Sequence, residues 1–178
     1  MSSAIREASD KDIVILSSTA DEGVITRELG EDKMSLQNNK EVLTIAACDR
    51  WGNLLDRSQK EGYEYRFVGN NVHVGQVPFL KSPESISGSS VATAIAAGAA
   101  SLILACCRIS KNCKTEQDGS KSHRWRCIMV RDTFHKMLEG SEQKFVALEN
   151  LCGKGKKLEY AEFRHTVDTT FKSPMQLK

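Results

Sequence analysis

The sequence lacks most of the features that announce a ligand outright. Its charge is nearly balanced, 25 Lys and Arg against 23 Asp and Glu, for a net charge of +2 and a pI near 8.2. That balance gives no argument for nucleic acid or an anionic membrane surface as a partner. The opening M-S-S-A-I-R-E-A-S-D carries acids and no apolar core, so it is no secretory signal, and an intracellular, cytoplasmic setting is expected. The six cysteines (Cys48, Cys106, Cys107, Cys113, Cys127, Cys152) show no framework spacing and are expected as free thiols in a reducing compartment. Cys107, Cys113, His123 and Cys127 can be drawn as a zinc set, but no C-x-x-C pair supports it and no metal is expected. Gly153-Lys154-Gly155-Lys156-Lys157 misses the P-loop spacing and reads as a solvated basic turn. No cofactor is implied.

What remains is a chain of 178 residues, 40% hydrophobic and 27% charged, which suits one soluble globular domain. Only one long uncharged run stands out, Val91 to Cys107, directly behind Gly88-Ser89-Ser90. Such a run can be a membrane span, a buried core helix, or a buried helix with a reactive serine at its mouth. A span needs about 20 mainly apolar residues. This run is slightly short, and its Ala, Gly, Ser and Thr gain little from lipid. As a buried helix the small residues make sense, and Ser89 or Ser90 is then an N-cap. As a reactive site, the unpaired N–H groups and positive dipole at the helix start favour negative charge developing beside the hydroxyl.

The remaining pattern alternates strand and helix. Residues 2–10 read as the end of a helix. The short apolar runs 12–16 (D-I-V-I-L) and 41–48 (E-V-L-T-I-A-A-C) read as central parallel strands covered on both faces. Residues 17–23 form a polar turn at the carboxyl end of the first strand, where sites gather in α/β sheets. Residues 72–77 alternate in the manner of a half-buried strand, 124–139 carry apolar residues at helical spacing, and 141–151 suit a further helix. The expected fold is α/β: three layers, a mostly parallel sheet, a buried helix after the serine motif and a helical C-terminal segment.

The letters around the serines resemble a known signature. Gly88-Ser89-Ser90-Val91-Ala92-Thr93, then Ala97-Gly98 and Leu102-Ile103-Leu104, is similar to G-T-S-x-A-T-P-x-V-A-G-x-x-A-L-I-L of the subtilisin-like serine peptidases. Ser90 falls on the nucleophile. Ser89 replaces Thr, Ala94 replaces Pro, and Ala96 replaces Val. Thr19-Ala20-Asp21-Glu22-Gly23 resembles the family's A-G-N-E-G segment, with Asp21 on the Asn whose side chain donates to the oxyanion. An ionised carboxylate has no proton to donate. In subtilisin itself, loss of that donor costs about 10²–10³ in turnover. The strand at 41–48 with Asp49-Arg50-Trp51-Gly52, and the turn at Phe67-Val68-Gly69-Asn70-Asn71-Val72, resemble two later family segments.

The resemblance implies a partial subtilisin-like peptidase domain over residues 1–151 and a flexible basic tail over 152–178. Ser90 would be the catalytic nucleophile and Asp21 would occupy the oxyanion position. Thr19, Ala20 and Gly88 would line the substrate, a peptide or protein. Neither the family's D-[ST]-G turn nor its H-G-T helix start occurs ahead of Ser90, where the only histidine is His73. The resemblance therefore covers the serine-bearing half of the domain and implies a serine-type endopeptidase, weak or inactive as an isolated chain. The alternative is an interaction module that keeps the fold without the chemistry. No nucleic acid or membrane partner is expected; the missing half of the domain, or a homo-oligomer, is.

Overall fold

The computed structural model describes residues 2–19, 39–56, 58, 61–75, 84–109, 125–139, 144–148 and 150. Helix α1 (Ser2–Asp10) leads into strand β1 (Ile15–Ser18), and strand β2 (Val42–Cys48) pairs parallel beside it, Ile15 opposite Val42. Strand β3 (Tyr65–Val68) lies parallel on the other side of β2, with Ile45 opposite Tyr65. A two-stranded ribbon of β4 (Val72–His73) and β5 (Ser85–Ile86) then leads into helix α2 (Ser89–Ile109). Helix α3 (Trp125–Lys136) is followed by β6 (Leu138–Glu139) and β7 (Phe145–Val146). The main sheet runs β1-β2-β3-β7-β6 and is parallel except for β6.

β2 shows why the apolar run 42–48 forms a strand. All seven residues are buried, as a central strand with both faces covered requires. Leu43, Ile45 and Ala47 face a core completed by Tyr65 and Phe67 of β3 and by Ala92, Ala96 and Ile103 of α2. Phe134 of α3 wedges edge-on between the two aromatic rings of β3, with centroids 5.3 Å from Tyr65 and 5.1 Å from Phe67. α2 packs over β1, β2 and β3 together. Its alanines allow this, because the short side chains bring the helix backbone close to three strands at once. By length and composition alone α2 is also long and apolar enough to cross a membrane.

Several elements differ from the pattern read in the sequence. The first strand starts three residues late, because Asp12 sits at φ 57° in the turn that closes α1. The Asp12 carboxylate instead accepts a hydrogen bond from the Arg126 N–H at 3.0 Å, capping the start of α3 from across the chain. α3 stops at Lys136, three residues early: Met137 closes onto the Phe134 carbonyl and Leu138 joins the sheet opposite Val146. Within the range 141–151, expected as a helix, Phe145–Val146 form β7 instead, and of the described residues only Asn150 is helical. Phe145 pairs with Arg66, and the Arg66 N–H donates to the Lys144 carbonyl at 2.7 Å. Pairing along an open sheet edge outweighs helical spacing in so short a segment. Of the strand expected over 72–77, only Val72–His73 pairs, and residues 76–77 lie outside the described residues. So does the tail, 152–178. Cys107 is disulfide-bonded, whereas Cys48, Cys106 and Cys127 are free thiols. The expectation of six free thiols is corrected accordingly.

Candidate functional site

The carboxyl ends of β1, β2 and β3 converge on the first turn of α2. Gly88 makes the approach possible. Its φ of 145° is open to glycine and rare for other residues. Its N–H donates to the Gly69 carbonyl at 2.8 Å, and its own carbonyl accepts from the N–H groups of Val91 and Ala92, both at 3.1 Å. Gly69, one residue past β3, is equally constrained. A Cβ there would lie 2.8 Å from both the Ala47 Cβ and the Gly88 oxygen. Two glycines thus hold the end of a strand and the start of a helix in direct backbone contact.

Ser89 locks the junction. It is fully buried, and its Oγ accepts hydrogen bonds from the Ala47 N–H at 3.2 Å and the Thr19 hydroxyl at 3.0 Å. The Ser58 hydroxyl lies 3.4 Å away in the same cluster. Thr19, itself buried one residue past β1, donates its N–H to the Ile45 carbonyl at 2.9 Å. One hydroxyl therefore ties the ends of two strands and a loop to the helix start. The Thr93 hydroxyl returns to the Ser89 carbonyl at 2.7 Å and tightens the first turn.

Ser90 follows immediately and is exposed. The reason is geometric: successive residues in a helix point about 100° apart, so an inward Ser89 turns Ser90 outward. Its hydroxyl sits in the first helical turn, where N–H groups lack intrahelical partners and the dipole favours negative charge. The structure therefore brings Ser90, Gly88 and Thr19 to one place. Thr19 directs its hydroxyl inward to Ser89. Ala20 and Asp21 lie outside the described residues.

No described histidine hydrogen-bonds to Ser90. His73 is exposed on β4, and His135 is exposed on α3 with its ring edge-on to Tyr65 at 5.5 Å. Cys48, at the carboxyl end of β2, offers no alternative nucleophile. Burial, with Asp49 adding to it, pushes its thiol up to about 12, so it stays protonated at neutral pH. Asp49 itself organises the turn after β2. Burial would raise its carboxyl, but hydrogen bonds from Asn53 and from the Trp51 N–H outweigh that and hold it below the usual range.

Sequence reasoning named Ser89 only as a helix cap and missed Ser58. The pattern G-S-S presents two identical hydroxyls, and only the helix phase separates the buried one from the exposed one. Ser58 lies in no motif.

No protein-family model matches the chain, and no curated protein sequence matches it. Solved structures do. The prenylagaramide maturation protease PagA matches with a TM-score of 0.55 at 17% identity, covering 93% of this chain and 55% of that one. The self-cleaved protease domain of PatA matches with a TM-score of 0.56 at 18% identity, covering 83% and 52%. The PatG macrocyclase in complex with peptide matches with a TM-score of 0.55 at 14% identity, covering 96% and 46%. The fold is subtilisin-like. The chain spans about half the length of the subtilisin-like structures it matches.

Proposed function

We propose that this chain is the serine-bearing half of a subtilisin-like serine endopeptidase domain, with Ser90 as nucleophile. One observation carries the proposal: an exposed hydroxyl heads a core helix that Gly88 and Ser89 fix to the carboxyl ends of three parallel strands. The reaction is acyl transfer. The Ser90 oxygen attacks a peptide carbonyl carbon while a base takes its proton, and the amine leaves with a proton returned from that base. Water then hydrolyses the ester. The developing oxyanion is held by the Ser90 N–H at the helix start. An Asp at position 21 serves there only as a protonated donor, or yields that task to water or backbone.

Because no described histidine reaches Ser90, the chain by itself is expected to hydrolyse peptides poorly or not at all. Fluorophosphonate labelling tests this. The isolated chain should label no better than its Ser90→Ala variant, while a protein supplying the complete domain should label at Ser90. Robust labelling of the isolated chain would refute the dependence on a second half, and labelling of the complete domain at another serine would refute Ser90 as nucleophile.

A non-catalytic module is the second reading, favoured by the same lack of a described base. Coding sequence ahead of Met1 separates the two. An in-frame D-[ST]-G and H-G-T segment supports the enzyme, and unrelated sequence supports the module.

A further inference from the structure

A cavity on the sheet face away from α2 gathers hydrogen-bond donors without matching acceptors. Arg66 alternates along β3 with the core residues Tyr65 and Phe67, so its side chain leaves the opposite face of the strand. There it meets Tyr63 and Lys144 around a cavity of about 480 Å³ walled by Leu54 and Leu55. The Arg66 guanidinium donates to the Tyr63 hydroxyl from Nε at 3.0 Å and from Nη2 at 2.6 Å. Its Nη1 donates to the Gly52 carbonyl at 3.3 Å, which fixes the group in place. Lys144 Nζ sits 4.4 Å from the centre of the Tyr63 ring and donates to the Tyr63 carbonyl at 3.4 Å.

Two of these groups hold protons that nothing described accepts. Tyr63 is only 7% exposed. Its hydroxyl oxygen receives both Arg66 bonds, so its own O–H needs an acceptor, and no described residue supplies one. A buried hydroxyl proton is costly to leave unpaired. Lys144 spends one of its three donors on the Tyr63 carbonyl, and no described carboxylate pairs with it. Both cations lie against one ring, so they are within about 10 Å of each other and repel. The one acid among the described lining, Asp56, is exposed and takes no described hydrogen bond or ion pair. Donors in this surplus call for an anion. Asp56 disfavours a dianion such as phosphate, and the leucines suit an apolar stem. The volume exceeds what a lone carboxylate fills. Asn53, on the same wall, ties its Nδ2 to Asp49 at 3.1 Å and turns its side-chain oxygen to other use, such as a peptide N–H. We propose that this cavity binds a carboxylate carried on a peptide, either an acidic side chain or a free C-terminus. The carboxylate accepts from Tyr63 Oη and Lys144 Nζ, with the Arg66 charge behind them. The site needs nothing of Ser90 and lies across the sheet from α2, so it stands apart from the peptidase reading.

Calorimetry and methyl NMR of the full chain test the proposal with two blocked peptides. One is acetyl-Ala-Leu-Glu-Leu-Ala-amide, which offers only a side-chain carboxylate; the other is acetyl-Ala-Leu-Leu with a free C-terminus. At least one is expected to bind and to shift the methyl resonances of Leu54 and Leu55. Its uncharged counterpart, with Gln for Glu or an amide for the free end, should bind at least about tenfold more weakly. Lys144→Met, and separately Tyr63→Phe, should each weaken binding by about tenfold. Lys144 is only half-buried, so its variant keeps the test open should Tyr63→Phe lose the fold by circular dichroism. Ser90→Ala should bind the peptide as the parent does, which separates this site from the proposed active site. Several results would overturn the proposal: no binding of either peptide at millimolar concentration, equal binding of the uncharged counterparts, or binding indifferent to Lys144→Met. Inorganic phosphate that binds here more tightly than both peptides would overturn it as well.

Discussion

The two faces of helix α2 are built from the same letters and do opposite things. One face runs Ser89, Ala92, Ala96, Ala99, Ile103 and is buried on the sheet. The other runs Ser90, Ala94, Gly98, Leu102, Ala105 and is exposed. Each face begins with a serine and ends in aliphatic residues. What separates them is the anchoring of the first turn. Gly88 bonds to Gly69 and Ser89 bonds to Thr19 and Ala47, and this sets the rotation of the whole helix. A helix turned by one residue would bury Ser90 and expose Ser89.

The contrast should be largest in the core. Ile103 is fully buried, so Ile103→Ala is expected to cost about 2–5 kcal/mol. That corresponds to a fall of roughly 10 °C in melting temperature for a chain of this size. Its neighbour Leu102 is half in water, and Leu102→Ala should cost under about 1 kcal/mol. Equal losses in calorimetry would mean that both faces are covered in the isolated chain.

The glycines should differ in sign. Gly69→Ala forces a methyl against Ala47 and the Gly88 oxygen and is expected to destabilise by about 1–3 kcal/mol. Gly98→Ala places its methyl in open space within a helix and should stabilise by roughly 0.5–1 kcal/mol. Urea unfolding of the two variants would read both, and a loss at Gly98 would show a close neighbour there.

The paired serines give the sharpest comparison at the site itself. Ser89→Ala strips the buried Ala47 N–H and the Thr19 hydroxyl of their acceptor, for an expected cost of about 1–3 kcal/mol. Ser90→Ala should stay within about 0.5 kcal/mol of the parent in urea unfolding, while abolishing fluorophosphonate labelling of the complete domain. A large stability loss at Ser90 would place it in the core and end its candidacy.

The smallest effect concerns pH. The Cys48 thiol is raised in the folded chain, chiefly by burial, from its ordinary 9.0 to about 12. Between those values the unfolded chain has lost the proton and the folded chain keeps it, so stability falls as pH rises through that window. Cys48→Ala should flatten the alkaline decline of the melting temperature, and an unchanged decline would mean that other groups carry it.

Much of the architecture was legible before any coordinates. The continuous apolar run at 42–48 suited a strand covered on both sides, and the small residues of 91–107 suited a close-packed helix better than a membrane span. Short segments were less legible. Residues 145–146 and 138–139 are too few to carry a period, and their strand state depends on the edge of β3 and on each other. The candidate site divides in the same way: Ser90 stood in a recognisable pattern, whereas Ser58 joins the cluster from a loop with no pattern at all.

Local composition determined that a small-residue helix follows Gly88-Ser89-Ser90 and that two parallel strands precede it, since periodicity and burial demand are properties of contiguous residues. Which serine faces the core and which faces solvent was decided only in three dimensions. That choice depends on hydrogen bonds with Thr19, Ala47 and Gly69, residues between 19 and 70 positions earlier in the chain, which meet the helix start only once the sheet has formed.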